Sequence, residues 1–158
     1  MATPQSLAYS PGGYEFGYLV LLAGRAIQNA VDEAAASAGL PAVDLITLYA
    51  LRVHENLTAG MVARLLHMQQ SSVSALADRL ETAGLLARVR DDSDRRRVWL
   101  CLTDEGREAL DRCGTQIRSA VRTLFAPLPP HGADQMAALL GTVVEPWLTD
   151  LAATGAGR

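Results

Sequence analysis

The sequence predicts a mainly α chain with one small β-hairpin, and three observations carry that prediction. Apolar residues recur at helical spacing through most of the 158 residues. Ala and Leu are abundant while aromatics make up 5%, a composition suited to helices packed on helices. From Leu86 to Leu102 the pattern changes to two short alternating segments around the charged loop Asp91-Asp-Ser-Asp-Arg-Arg-Arg97. That hairpin follows a run of helix, turn, helix and glycine, which is the order of a winged helix-turn-helix domain.

Taken in order, residues 1–13 contain Pro4, Pro11 and a glycine pair and are expected to be a flexible arm. A first helix from Tyr14 to Ser37 follows from the spacing of Tyr18, Leu22, Ile27, Ala30, Val31 and Ala34, and Gly39 stops it. Pro41 suits the first turn of a second helix running to about His54. Glu55-Asn56 reads as a turn, with Thr58 capping a short helix from Ala59 to Leu66. His67 to Gln70 is the next turn, before a helix from Ser71 to Ala83 that Gly84 terminates. Strands are expected at Leu86–Arg90 and Arg97–Leu102. Thr103 caps a long helix to about Phe125, with Asp104 and Glu105 near its positive end. After Pro127, Pro129 and Pro130 comes a last helix, Gly132 to about Ala152, which Pro146 should kink.

The net charge of −3 speaks against coating of nucleic acid by the whole molecule, but the charge is unevenly placed. Seven arginines against five acids leave Arg64–Arg97 at +2 and the remainder at −5. Two cysteines are too few for a secreted disulfide scaffold. No charged-then-apolar leader is read, and the longest apolar stretch, around Tyr18 to Ala23, is too short to span a bilayer. The expected location is therefore the cytoplasm, with no membrane partner. His54, His67 and His131 show no metal spacing, and no nucleophile with a base or phosphate loop marks an enzyme. Neither cofactor nor metal is expected.

In the second helix of the motif, Val73, Leu76, Ala77 and Leu80 share one face. Ser71, Ser72, Ser74, Ala75, Asp78 and Arg79 share the other. A helix entering the major groove needs short hydrogen-bonding side chains outside, and Gln69, Gln70 and the three serines supply them. Serines on a solvated helix would look the same. Arg95, Arg96 and Arg97 offer planar, permanently charged donors suited to phosphates or a narrow minor groove, with Asp94 to fix the loop. A solvated charged turn is the competing reading.

The chain resembles the MarR (multiple-antibiotic-resistance regulator) family over almost its full length. The matching words are Phe16-Gly-Tyr-Leu19, Gly39-Leu40, Val62-Ala-Arg-Leu-Leu66, Ser71-Ser-Val-Ser74, Asp78-Arg-Leu-Glu-Thr-Ala-Gly-Leu85, Asp94-Arg-Arg96 and Leu102-Thr-Asp-Glu-Gly106. The resemblance implies a winged helix-turn-helix domain plus helical dimerisation region: a first dimerisation helix in 14–40, a DNA-binding lobe in 41–103 and dimerisation helices in 104–158. It implies a homodimeric repressor bound to an inverted-repeat operator in double-stranded DNA. Arg96 then resembles the wing-tip arginine of the minor groove, Asp94 its orienting partner, Ser71, Ser72 and Ser74 the recognition contacts, and Arg79 a phosphate or base contact. Ala75 stands where the family often has a larger or basic residue, and Pro41 and Asp44 replace its usual Thr and Gln.

The same resemblance implies release by a small aromatic or phenolic ligand held between dimer base and DNA-binding lobe. Arg25, inside an apolar helix, is the chosen carboxylate partner, with Tyr18, Tyr49 and Arg52 lining the crevice. An interface ion pair for Arg25 and core packing for the tyrosines explain these residues equally simply. Cys101 and Cys113 open a redox-responsive alternative, against small apolar packing. Arg112, Arg118 and Arg122 read as a solvated face. A winged-helix protein–protein adaptor that reads no DNA is the alternative from another functional class.

Overall fold

A computed structural model describes residues 14–54 and 57–155, the last five of these as backbone only. The arm expected at 1–13 and the turn at Glu55-Asn56 lie outside the described residues. The elements are α1 (Tyr14–Ser37), α2 (Ala42–Val53), β1 (Leu57–Thr58), α3 (Ala59–Leu65), α4 (Gln70–Thr82), β2 (Leu86–Arg90), β3 (Val98–Leu102), α5 (Asp104–Phe125) and α6 (Gly132–Gly155).

Local chemistry sets most of the boundaries. Three helices end on a residue in the left-handed region followed by a backbone bond across the last turn. For α1 this is Gly39 (φ 68°), with Leu40 N–H donating to the Ala35 carbonyl at 2.9 Å. For α4 it is Gly84 (φ 72°), with Leu85 N–H on the Leu80 carbonyl at 2.9 Å. At the end of α3 the same place is taken by His67 (φ 51°), where Met68 N–H reaches the Ala63 carbonyl at 2.8 Å. A side chain at that angle is strained, and the His67 imidazole stacks on Trp147 of α6, ring centres 6.2 Å apart. At the N-termini, the Thr58 and Thr103 hydroxyls accept from Met61 N–H (3.3 Å) and Gly106 N–H (3.0 Å), as their sequence positions predict. Pro41 precedes α2 as its N-cap in extended geometry rather than entering its first turn, and Gln70 is helical, not turn. The last helix runs unbroken through Pro146.

The sheet has the order β1-β3-β2, all antiparallel, with Leu86 opposite Leu102, Arg88 opposite Leu100 and Leu57 opposite Leu100 on the other side. The hairpin is expected from the sequence, whereas β1, two residues long, is not. Leu57, Leu86, Leu100 and Leu102 point into one core with Leu45, Leu48, Val62, Val73, Leu76, Leu80 and Leu110. That core lies between the sheet and α1 to α5. Helix α5 packs along α1 and α2, α4 against α3 and β2, and α6 against α3. Much of α1 and α6 stays uncovered: Tyr18, Leu21, Leu139 and Val143 are 55–74% exposed. Among the described residues no single helix is long and apolar enough to cross a membrane.

Candidate nucleic-acid interface and effector cavity

The apolar face of α4 is buried as its spacing predicts, with Val73, Leu76, Ala77 and Leu80 at most 1% exposed. Gln69, Gln70, Ser71, Ser72, Ser74, Ala75 and Asp78 are exposed on the opposite side. The Ser74 hydroxyl donates back to the Gln70 carbonyl at 3.1 Å, leaving its oxygen to accept. Arg79 behaves differently. It turns toward the body of the protein, where its Nε donates to Asp44 Oδ2 (2.9 Å) and its Nη2 to Asp44 Oδ1. This bond to Asp44 raises the Arg79 pKa above its ordinary value, against some desolvation. Arg88 of β2 likewise binds two acids of α4, Asp78 (2.7 Å) and Glu81.

Two aspartates build the hairpin tip. Asp91 Oδ1 accepts from the Ser93 N–H (2.7 Å) and hydroxyl (2.5 Å) and from Asp94 N–H (3.1 Å), and Oδ2 accepts from the Trp99 indole (3.0 Å). These bonds, that of the Ser93 hydroxyl foremost, lower the Asp91 pKa to about 2. Asp94 Oδ1 then accepts from both Arg96 N–H and Arg96 Nε at 3.1 Å. The arginine's bond holds the Asp94 carboxyl below its usual range. Arg96 itself projects from the tip with its side chain 86% exposed; Nε and, at 3.4 Å, Nη2 donate to the Asp94 carboxylate, which fixes the plane of the guanidinium. Arg97 lies over the Trp99 ring, 5.2 Å from its centre, and Arg95 is exposed.

The sequence-predicted Gln70, Asp94, Arg96 and Arg97 meet around one groove of about 1070 Å³ between α3 and the hairpin. Arg64 and His67 add two basic groups that the sequence reading leaves out, and Trp147 forms part of the wall. Gln69, Ser71, Ser72, Ser74, Arg79 and Arg95 do not line it.

A second cavity, about 910 Å³, lies between α1, α2 and α5. Ile27, Val31, Ile46, Ile117 and Val121 make its wall apolar, and Tyr49, Arg52, Arg118 and Arg122 bring polar groups to it. Tyr49 and Arg52 are where the sequence reading expects them, with Arg52 bound to Asp111 of α5 at 2.6 Å. Tyr18 and Arg25 do not line this cavity; both are exposed in the N-terminal half of α1. Arg118 and Arg122 are exposed, as the solvated reading expects, and they also line this cavity. They lie four residues apart, which places both on one side of α5, and that side borders the cavity. Arg112 fits the solvated reading, 70% exposed and 4.0 Å from Glu108. Cys113 is 3% exposed, and burial pushes its thiol pKa up, the direction opposite to a reactive thiolate.

Comparison with known proteins follows the same outline. A family model described as "MarR family" matches residues 38–97. The HTH-type transcriptional repressor MdtR of Bacillus subtilis is 36% identical over 80 residues, 51% of this chain and 52% of that protein. The chain thus spans about half the length of that curated relative. CouR from Rhodococcus jostii RHA1, solved bound to p-coumaroyl-CoA, superposes with a TM-score of 0.70 at 28% identity, over 84% of this chain and 94% of that one. A mutant form of MarR from E. coli, solved with operator DNA, gives 0.65 at 19% identity over 83% and 94%, a likeness of fold.

Proposed function

The chain belongs to the MarR family, and on that premise we propose that it is a homodimeric, sequence-specific DNA-binding repressor released by a small aromatic acid. The hairpin carries the reading: a mostly exposed Arg96 whose Nε edge is held by Asp94, beside a helix whose outer face is small and polar. Such a pair suits insertion of the arginine in the minor groove and of α4 in the major groove. Helices α1, α5 and α6 form the dimer base in this reading, supported by the exposed apolar side chains of α1 and α6. The test is selection of duplexes from a randomised pool by the purified protein, followed by a salt titration. We expect an inverted repeat with half-sites about one helical turn apart, and affinity that falls steeply with salt. Binding without sequence preference favours the adaptor reading.

The cavity between α1, α2 and α5 supports the effector half of the proposal. Its apolar wall fits an aromatic ring, and the arginines near it suit a carboxylate. Arg118 and Arg122 replace Arg25 as the chosen partners. With salicylate as the probe at about a hundredfold its Kd, a native-state ligand adds about 2.7 kcal/mol of stability. For a chain of this size that is a rise in Tm of roughly 5–10 °C. Arg122→Ala is expected to remove the rise and Arg25→Ala to leave it. A shift that survives Arg122→Ala and disappears with Arg25→Ala assigns the carboxylate to Arg25.

A further inference from the structure

Asp44 is the one charged side chain among the described residues that is buried, 1% exposed on α2. A carboxylate taken out of water needs a partner with good geometry. It has one in Arg79, thirty-five residues away on α4, through two parallel bonds from Nε and Nη2. A planar fork on a carboxylate fixes direction as well as distance. On the other flank of the same helix, Arg88 of β2 holds Asp78 and Glu81. The C-terminal half of α4 is thus anchored to α2 on one side and to the hairpin on the other. Its N-terminal half is seated through the buried Val73 and presents Ser71, Ser72 and Ser74 to solvent. Ser72 lies about 10 Å along the axis from Arg79 at 1.5 Å per residue. A tilt of about 10° at the anchor would move it nearly 2 Å, more than a base contact tolerates.

We propose that Asp44 and Arg79 are a positioning pair that sets the angle of the recognition helix, and that Arg79 serves this anchor rather than a DNA phosphate. The proposal rests on the DNA-binding reading above. It departs from the role that the family resemblance implies for Arg79. A phosphate ligand and an anchor differ in measurable ways. Losing a phosphate contact weakens all sequences alike and flattens the salt slope by about one unit. Losing an anchor blurs discrimination between sequences and leaves the slope unchanged.

The experiment compares the duplex selected from the randomised pool with a scrambled duplex of equal composition. It measures both affinities over a salt series for the full-length wild type and for Asp44→Asn, Arg79→Ala and Arg79→Lys. Asp44→Asn and Arg79→Lys are each expected to lower the selected-to-scrambled ratio about tenfold, the scale of one lost base pair of recognition. Their salt slopes should match the wild type. Circular dichroism checks the fold, and if Asp44→Asn does not fold, Arg79→Lys carries the same readouts from the half-exposed end of the pair. The proposal is overturned if Arg79→Lys keeps affinity and ratio, since a point charge satisfies a phosphate but not a fork. It is equally overturned if folded Asp44→Asn keeps its ratio, or if Arg79→Ala weakens both duplexes alike with a flatter slope. A wild type that does not distinguish the duplexes overturns the DNA-reading function itself, and this proposal with it.

Discussion

Arg96→Ala is expected to weaken binding of the selected duplex by about 10- to 100-fold while leaving the fold intact. The range corresponds to roughly 1–3 kcal/mol, the scale of one well-aligned arginine contact. The proposed dimer would insert two such side chains, which puts the expected effect at the upper end. The substitution is unusually clean because Arg96 supports nothing behind it. Its side chain is 86% exposed, and its partner Asp94 keeps two backbone bonds: the carboxylate accepts from Arg96 N–H at 3.1 Å and the carbonyl accepts from Arg97 N–H at 2.8 Å. Those backbone bonds survive truncation, and so do the four bonds to Asp91 that shape the turn. Surface changes of this kind move stability by about 0.5 kcal/mol or less, so melting temperature separates loss of contact from loss of structure. Asp94→Ala should cost less than Arg96→Ala, because it frees the guanidinium without removing it and also removes a negative charge facing phosphate. Fluorescence anisotropy at fixed salt checks both. Unchanged affinity in Arg96→Ala would remove the hairpin from the interface.

How much of this was legible in the sequence depends on how local each cause is. Thr58, Gly84 and Thr103 declare helix ends because capping acts within a few residues, and their geometry agrees. The two faces of α4 follow from a 3.6-residue period and a single core. Strand β1 has two residues, too few for any period, and exists because Leu57 finds Leu100 across the sheet. Partner choice is the least local of all. Asp94 with Arg96 is readable at two residues' distance, but nothing near Arg79 points to Asp44, and nothing near Arg88 points to Asp78 and Glu81. The substitution of Asp for the usual Gln at position 44 was the available signal, visible as a departure but not as a partner. Arg118 and Arg122 are legible as an exposed face but not as a cavity lining, for the same reason. Their spacing gives a shared face, while only the packing of α1 and α2 on α5 decides that the face borders a cavity.

Gly106→Ala is expected to be the most damaging single methyl in the protein. A Cβ at Gly106 would stand 2.2 Å from the Leu85 carbonyl oxygen and 2.7 Å from Leu102 Cδ1. The leucine end could rotate away, but the carbonyl is backbone and cannot. That carbonyl also accepts Thr103 N–H at 3.3 Å, while the Thr103 hydroxyl donates to the Gly84 carbonyl at 2.7 Å and accepts from Gly106 N–H at 3.0 Å. One small volume therefore joins the end of α4, the start of β2, the end of β3 and the first turn of α5. Relieving the clash means moving α5 or the hairpin. Overpacking of this sort costs about 1–3 kcal/mol and more where the backbone must yield, against a helix-propensity gain for alanine of about 1 kcal/mol. The clash is with backbone, so the loss should exceed the gain, and at about 2–4 °C per kcal/mol the melting temperature falls by several degrees. Gly60→Ala is the matched control, since its Cβ meets nothing nearer than Thr58 Oγ1 at 3.9 Å; it should hold or raise the melting temperature. If Gly106→Ala melts with Gly60→Ala, the junction is looser than its geometry and the hairpin is not braced against α5. If it melts lower and also loses duplex affinity below its melting temperature, the same glycine that lets α5 approach Leu85 also holds the hairpin at its working angle to α4.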